Sequence, residues 1–383
     1  MVEWKKLVSI SNVQYGYPFE SSLFSEDSDK IPLIRIRDVK PAKASTYYSG
    51  EILKDYIIRK GDILVGMDGE FNLGKWNDRE GLLNQRVLKL TGKRNICLDG
   101  YLFHYMGPVF KKIEKQTAGG SVKHLSAKII NAIEIPVPSL AEQSRIVSIL
   151  DTFTASIDNL KQQIEQRRKQ YEYYRDQLLD LEGKEGVEMK KLGNVLVSLK
   201  TGLNPRKNFV LNSPGSKNFY ITVRELGHYN ITPTDKTDLV TDEALRLINN
   251  RSNLEKGDVL FSGTGTIGRT ALVKEKPNNW NIKEGVYTLK PIQSVISSKF
   301  LIELLHTNPI MDKINSFIVG DPIRSVPMKS LVLVSIPIPS LEEQSRIVGI
   351  LDTFEASIAN LEQQLEMRVK LYEYYRNKLL DFE

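Results

Sequence analysis

The chain has 383 residues, a formal net charge of +6, 41% hydrophobic residues and one cysteine, Cys97, which is room for two or three domains. The composition excludes a disulfide framework and suits a reducing cytoplasm. No run of about 18 apolar residues is present to span a membrane, and the opening MVEWKKLVSI does not have the layout of a secretory signal.

Residues 1–138 read as short β-branched runs broken by Gly, Asn and Asp, with a helix near 100–116. That pattern predicts an α+β domain with a small antiparallel sheet. Arg35 and Arg37 follow a strand-like run at 31–34, and Lys60-Gly-Asp-Ile-Leu-Val65 reads as a further strand. The loop Gly69-Glu-Phe-Asn-Leu-Gly74-Lys75 presents Glu70, Asn72 and Lys75. Asn84-Gln85-Arg86 places two amides and a guanidinium side by side. Arginine matches guanine, and Asn or Gln matches adenine, on major-groove base edges. Lys123 and His124 stand in a polar loop just ahead of the next element.

Residues 139–182 predict one long helix. Ser139 follows a proline as N-cap and Glu142 comes three residues later, the spacing of a capping box. Apolar residues then recur in steps of four and three, through Ile146, Leu150, Phe153, Ile157, Leu160 and Ile164. Arg167 breaks the seam, which resumes at Tyr171, Tyr174, Leu178 and Leu181. A 3.5-residue period held for about six heptads is a coiled-coil seam. About 44 residues give a rod of roughly 65 Å.

Residues 183–338 repeat the first domain faintly. Asn218-Phe-Tyr-Ile-Thr-Val-Arg224-Glu225 echoes Ile31–Asp38, and Lys256-Gly-Asp-Val-Leu-Phe261 echoes Lys60–Val65. A helix is expected near 298–315. Lys200, Asn204, Arg206 and Lys207 lie in a basic, glycine-containing loop, and Arg324 precedes the next repeat. Gly263-Thr-Gly-Thr-Ile-Gly268-Arg269-Thr270 has the spacing of a phosphate loop, with Arg in place of Lys. The residues that follow, Ala271-Leu272-Val273, read as a strand, whereas phosphate binding needs a helix start. The loop is therefore read as an inter-strand turn presenting Thr264, Thr266 and Arg269, with Gly69–Lys75 as its cousin.

Residues 339–383 repeat 139–182 at a constant offset of 201, with about 35 of roughly 48 positions identical from Ile135 and Ile336 onward. Ile358, Leu361 and Leu365 answer Ile157, Leu160 and Ile164. A lone helix with one wet apolar stripe is unstable, so each copy is expected to pair with the other. Connectivity makes the pair antiparallel, with a pseudo-two-fold axis near Leu160 and Leu361. The two globular segments are basic, near +5 and +7, and the two helices together are near −6. Basic ends attract a polyanion and an acidic middle suits protein partners. The four histidines have no metal-ligand spacing, and no nucleophile, nuclease or amino-methyltransferase motif is present.

Two unlike basic domains alternate with two near-identical helices that open Ile-Pro-[Val/Ile]-Pro-Ser-Leu-x-Glu-Gln-Ser-Arg-Ile-Val. In this the chain resembles the specificity subunits of type I restriction-modification systems over its whole length. The resemblance implies that each globular domain is a target-recognition domain reading half of a bipartite, asymmetric double-stranded DNA site. The helices would set the gap and dock two methyltransferase subunits, which bind S-adenosylmethionine. Restriction subunits would join that core, and this chain would be non-catalytic and without cofactor. The alternatives are a coiled-coil scaffold that binds only protein, or the specificity component of a type IIB-like system.

Overall fold

The computed structural model describes residues 2–382 apart from 117–122, Lys207 and His228. The chain divides into two compact units, residues 1–162 with 362–383, and residues 163–361.

In the first unit the principal strands are β1 (Glu3–Lys6), β2 (Ser11–Tyr15), β3 (Ile31–Ile34), β4 (Ile63–Gly66), β5 (Leu73–Lys75), β6 (Gly81–Leu83) and β7 (Val87–Gly92). Helix α1 (Asp99–Gln116) and β8 (Glu134–Val137) follow. The main sheet is antiparallel in the order β2-β7-β4-β5. Its strands are apolar at successive positions because both faces are covered. Side chains alternate across a sheet, so Ile63, Val65, Leu88 and Leu90 meet Tyr101, Leu102, Met106 and Phe110 of α1. Leu64 and Val87 face the other way, into a core with Ile34, Trp76 and Leu83. The sequence led us to expect antiparallel pairing only. Instead, a second small sheet joins β3 to β6 in parallel, Leu33 beside Leu82 and Ile34 beside Leu83.

The second unit repeats this plan. Its strands are β9 (Glu188–Lys191), β10 (Leu196–Thr201), β11 (Asn218–Ile221), β12 (Val259–Ser262), β13 (Thr270–Leu272), β14 (Trp280–Ile282), β15 (Val286–Pro291) and β16 (Ser335–Ile338). The main sheet runs β10-β15-β12-β13, and β11 lies parallel to β14. The single helix expected at 298–315 is two, α2 (Ser298–Leu305) and α3 (Asn308–Asn315). Pro309 stands in the first turn of α3, where its missing N–H costs no hydrogen bond.

The long helices run Leu140–Leu178 and Leu341–Leu379, 39 residues each, or about 58 Å. Both are shorter than expected, because Leu181 and Phe382 lie beyond the helix ends. In the first unit, Ile146 and Leu150 from the start of the first long helix share a core with Tyr372, Leu379 and Phe382 from the end of the second. In the second unit, Tyr171 and Leu179 share a core with Ile347 and Leu351. Within each unit the two helical segments are therefore antiparallel. Ring pairs join them: Phe153 stacks on Tyr375 at 5.4 Å, and Tyr174 on Phe354 at 5.3 Å. Ile157, Leu160 and Ile164 are buried, while Ile358, Leu361 and Leu365 are half-buried. Arg167 holds its guanidinium 5.8 Å from the Phe354 ring. Among the described residues, no helix is long and apolar enough to cross a membrane.

Ser139 and Ser340 cap as expected, accepting from the backbone N–H of Glu142 at 3.3 Å and Glu343 at 3.2 Å. The capping box is not completed. Both carboxylate oxygens of Glu142 accept from Arg145, and both of Glu343 from Arg346.

Candidate nucleic-acid interface

In the first unit the parallel β3–β6 pair brings the ends of two strands to one edge. After β3 the backbone turns into a short helix, Ile36–Val39, where the Arg35 N–H donates to Asp38 Oδ2 at 2.9 Å. After β6 it makes a tight turn, Asn84 to Val87, closed by Val87 N–H to Asn84 O at 3.2 Å. The loop between β4 and β5 rises beside them. Together they enclose a cleft of about 670 Å3 lined by Arg35, Arg37, Glu70, Asn72, Asn84, Gln85 and Arg86, with Phe19, Ser21, Phe24 and Ile36. Seven of the residues singled out from sequence thus meet in one place, although they span more than 50 positions of chain.

The cleft is organised rather than loose. Arg37 donates from Nε to Ser45 Oγ at 2.8 Å and from Nη2 to Thr46 Oγ1 at 2.6 Å. Arg35 lies over the Phe24 ring at 5.7 Å. Asp68 accepts from Arg86 and from His124 Nδ1, the latter at 2.6 Å. Burial works against ionised Asp68, but the hydrogen bonds and charges of His124 and Arg86 prevail and hold its carboxyl below the usual range. Asn84 is buried, and its Oδ1 accepts from the Gln85 N–H at 2.9 Å. It braces the turn and does not reach outward.

Lys75 is not part of this cleft. It lies in β5 opposite Ile63, with its ammonium 3.6 Å from Asp151 and 4.6 Å from the centre of the Phe103 ring. Its counterpart in the second unit is Leu272, opposite Val259, not Arg269 as the sequence alignment implied. The second loop is one residue longer, and the strand register makes Asn72 the equivalent of Arg269. The Asn72 carbonyl accepts from Gly66 N–H, and the Arg269 carbonyl from Ser262 N–H.

In the second unit the glycine-rich stretch is a turn between antiparallel β12 and β13, as read from sequence. Arg269 donates from Nη1 to the carbonyls of Val223 (3.2 Å) and Leu226 (3.4 Å). Its guanidinium is thereby fixed beside the turn that carries Arg224, itself paired with Asp238 at 3.1 Å. Thr264 is half-buried and Thr266 exposed in this loop. Arg324 is exposed, and its carbonyl accepts from Gly265 N–H at 2.9 Å, as the Lys123 carbonyl does from Gly69 at 3.0 Å. Lys123 and Arg324 therefore hold equivalent positions in structure as well as in sequence. Lys200 is exposed at the end region of β10, Arg206 is exposed, and Asn204 is half-buried with its carbonyl accepting from Asn208. Lys207 lies outside the described residues.

Sequence reading missed the turn after β14, Lys283-Glu284-Gly285, the counterpart of Asn84-Gln85-Arg86. It also missed Gln143 and Gln344. Both glutamines are fully buried. Gln143 accepts from Leu98 N–H at 2.9 Å and donates to Ile96 O and Pro138 O, both at 2.9 Å. Gln344 does the same with Ser297 N–H, Val295 O and Pro339 O. The repeated Glu-Gln-Ser-Arg stretch is thus a clamp between long helix and domain, and its duplication was the available signal.

The family model described as "Type I restriction modification DNA specificity domain" matches residues 1–167 and 184–371. The EcoBI specificity subunit of Escherichia coli is 30% identical over 391 aligned positions, covering 93% of this chain and 80% of that one. A putative type I specificity subunit of Haemophilus influenzae is 28% identical, covering 100% and 96%. The crystal structure of a type I S subunit from M. genitalium aligns over 100% of this chain and 97% of its own, with a TM-score of 0.57 and 16% identity. A chain from a study of complex assembly in the type I system aligns with a TM-score of 0.59 at 18% identity, over 100% and 98%.

Proposed function

From the premise that the chain belongs to the family of type I restriction-modification DNA specificity subunits, we propose that it reads a bipartite DNA target and carries out no chemistry itself. Each globular domain contacts one half-site of double-stranded DNA. The long helices hold the half-sites a set distance apart and dock two methyltransferase subunits, which bring S-adenosylmethionine. Restriction subunits assemble on that core, in the cytoplasm.

The observation that supports this reading best is the first-domain cleft. Arg35, Arg37, Asn72, Gln85 and Arg86 line it with groups suited to phosphates and base edges. The second domain carries Arg224, Arg269 and Arg324 on the equivalent loops. A protein-only scaffold has no use for two such edges on domains of net positive charge.

The test is expression of this chain with its cognate methyltransferase subunits, followed by methylome sequencing. The expected result is one asymmetric motif with two specified parts and an unspecified gap. Binding to that duplex should weaken steeply with salt, as counterion release requires. Salt-independent association, or no motif, would overturn the proposal.

A further inference from the structure

The two domains share one backbone turn and dress it with opposite chemistry. In the first, Asn84 N–H donates to Ile34 O, Val87 N–H to Asn84 O and Met67 N–H to Arg86 O. In the second, Lys283 N–H donates to Ile221 O, Val286 N–H to Lys283 O and Gly263 N–H to Gly285 O. The third residue is left-handed in both, with φ 69° at Arg86 and φ 92° at Gly285. A glycine packs against each turn: a Cβ on Gly16 would stand 1.9 Å from Asn84 O, and one on Gly202 1.9 Å from Ile282 O. The frame is therefore the same, while the side chains read Asn-Gln-Arg in one domain and Lys-Glu-Gly in the other.

Two details single this turn out. Glycine adopts a positive φ freely and an L side chain does not. Arg86 holds that conformation where its counterpart is glycine, so its side chain is kept against a local cost, the mark of a functional position. That guanidinium is also aimed, since Asp68 accepts from it and from His124 at the cleft edge. Glu284 is the converse. It is an exposed carboxylate on a turn that Lys283 N–H ties to Ile221 O, three residues before the exposed Arg224, and a phosphate would repel it. Its useful partner on DNA is a base amino group.

We infer that this turn is a base-discriminating element of each domain, with Arg86 taking a guanine in one half-site and Glu284 a base with an exocyclic amino group, cytosine or adenine, in the other. Arg37 and Arg224, alike in both domains and each tied to its own domain, serve as common anchors. The inference rests on the DNA-reading function proposed above.

Arg86→Gly and Glu284→Gln test it, each assembled with the methyltransferase subunits and read by methylome sequencing. Arg86→Gly should relax one G·C position of one half-site by about tenfold or more and leave the other half-site unchanged. Glu284→Gln should change one position of the other half-site only. A melting midpoint for Arg86→Gly no lower than that of the parent shows that the variant folds, since glycine relieves the positive φ. If both variants write the parental motif, the turn is not the reader although the DNA-reading function stands. If the parent complex writes no motif, that function fails and this inference with it.

Discussion

Tyr171 and Tyr372 hold the same place in the two repeated helices, and each closes its hydroxyl on a buried ionisable side chain of a globular domain. Tyr171 donates to Glu303 Oε2 at 2.7 Å, and the Tyr372 hydroxyl lies 3.0 Å from His104 Nδ1. The seam position read as helix pairing is thus a docking peg. His104 also meets Asp151 at 2.8 Å, whereas Glu303 shares its pocket with Tyr229, Glu355 and Arg175.

The second joint carries two titrating groups, Glu303 and His306, whose shifts act in opposite directions. Burial pushes the Glu303 carboxyl up to about 7, with Glu355 adding to the effect and Tyr171, Arg175 and Tyr229 opposing it. Burial, helped by Arg175, lowers His306 to about 4. A raised carboxyl binds its proton more tightly when folded, so its contribution falls as pH rises from 4.5 toward 7. A depressed histidine resists protonation when folded, so its contribution rises as pH rises from 4 to 6.5. The two slopes oppose each other between pH 4.5 and 6.5. Glu303→Gln should unmask the histidine, and the melting midpoint should then climb across that range more steeply than in the parent. A midpoint profile identical to the parent's would show that the pocket does not titrate.

The glutamine clamp has a stability consequence. Gln143→Ala or Gln344→Ala leaves one buried N–H and two carbonyls without their partner. Each is expected to cost about 2–4 kcal/mol, measured as a lower urea midpoint for unfolding of the affected unit. A loss below about 0.5 kcal/mol would mean that water replaces the amide.

Arg269→Ala removes a guanidinium that is exposed and fixed on the carbonyls of Val223 and Leu226. Methylation specificity should relax in the second-domain half-site alone, with a stability change within about 1 kcal/mol. Equal relaxation in both half-sites would argue against separate readers.

If the long helices are the ruler, four residues inserted near Gln162 should alter the gap tolerated between half-sites and leave the half-sites themselves unchanged. An unaltered gap in the methylome would remove the ruler role.

Much of this architecture is legible in the chain because its signals are local or repeated. The seam residues, the caps at Ser139 and Ser340 and the hairpin nature of Gly263–Gly268 each follow from spacing within a few turns of backbone. The parallel β3–β6 pairing is not legible, since its partners lie far apart in sequence and parallel pairing leaves no turn signature between them. Lys75 was misplaced for a related reason. Its Gly-Lys echo of Gly268-Arg269 is real in sequence, but one extra residue in the second loop shifts the register. Lys283 and Glu284 escaped notice because they share no chemistry with Asn84 and Gln85, and only the common backbone relates them.

Every atom that Gln143 and Gln344 grasp in the domains belongs to the main chain. The grip is therefore indifferent to which side chains the domain displays. If the domains are the readers proposed above, a foreign module joined ahead of Pro-Ser-Leu would meet the same glutamine handhold, and would need to match only the side chains that receive Tyr171 or Tyr372.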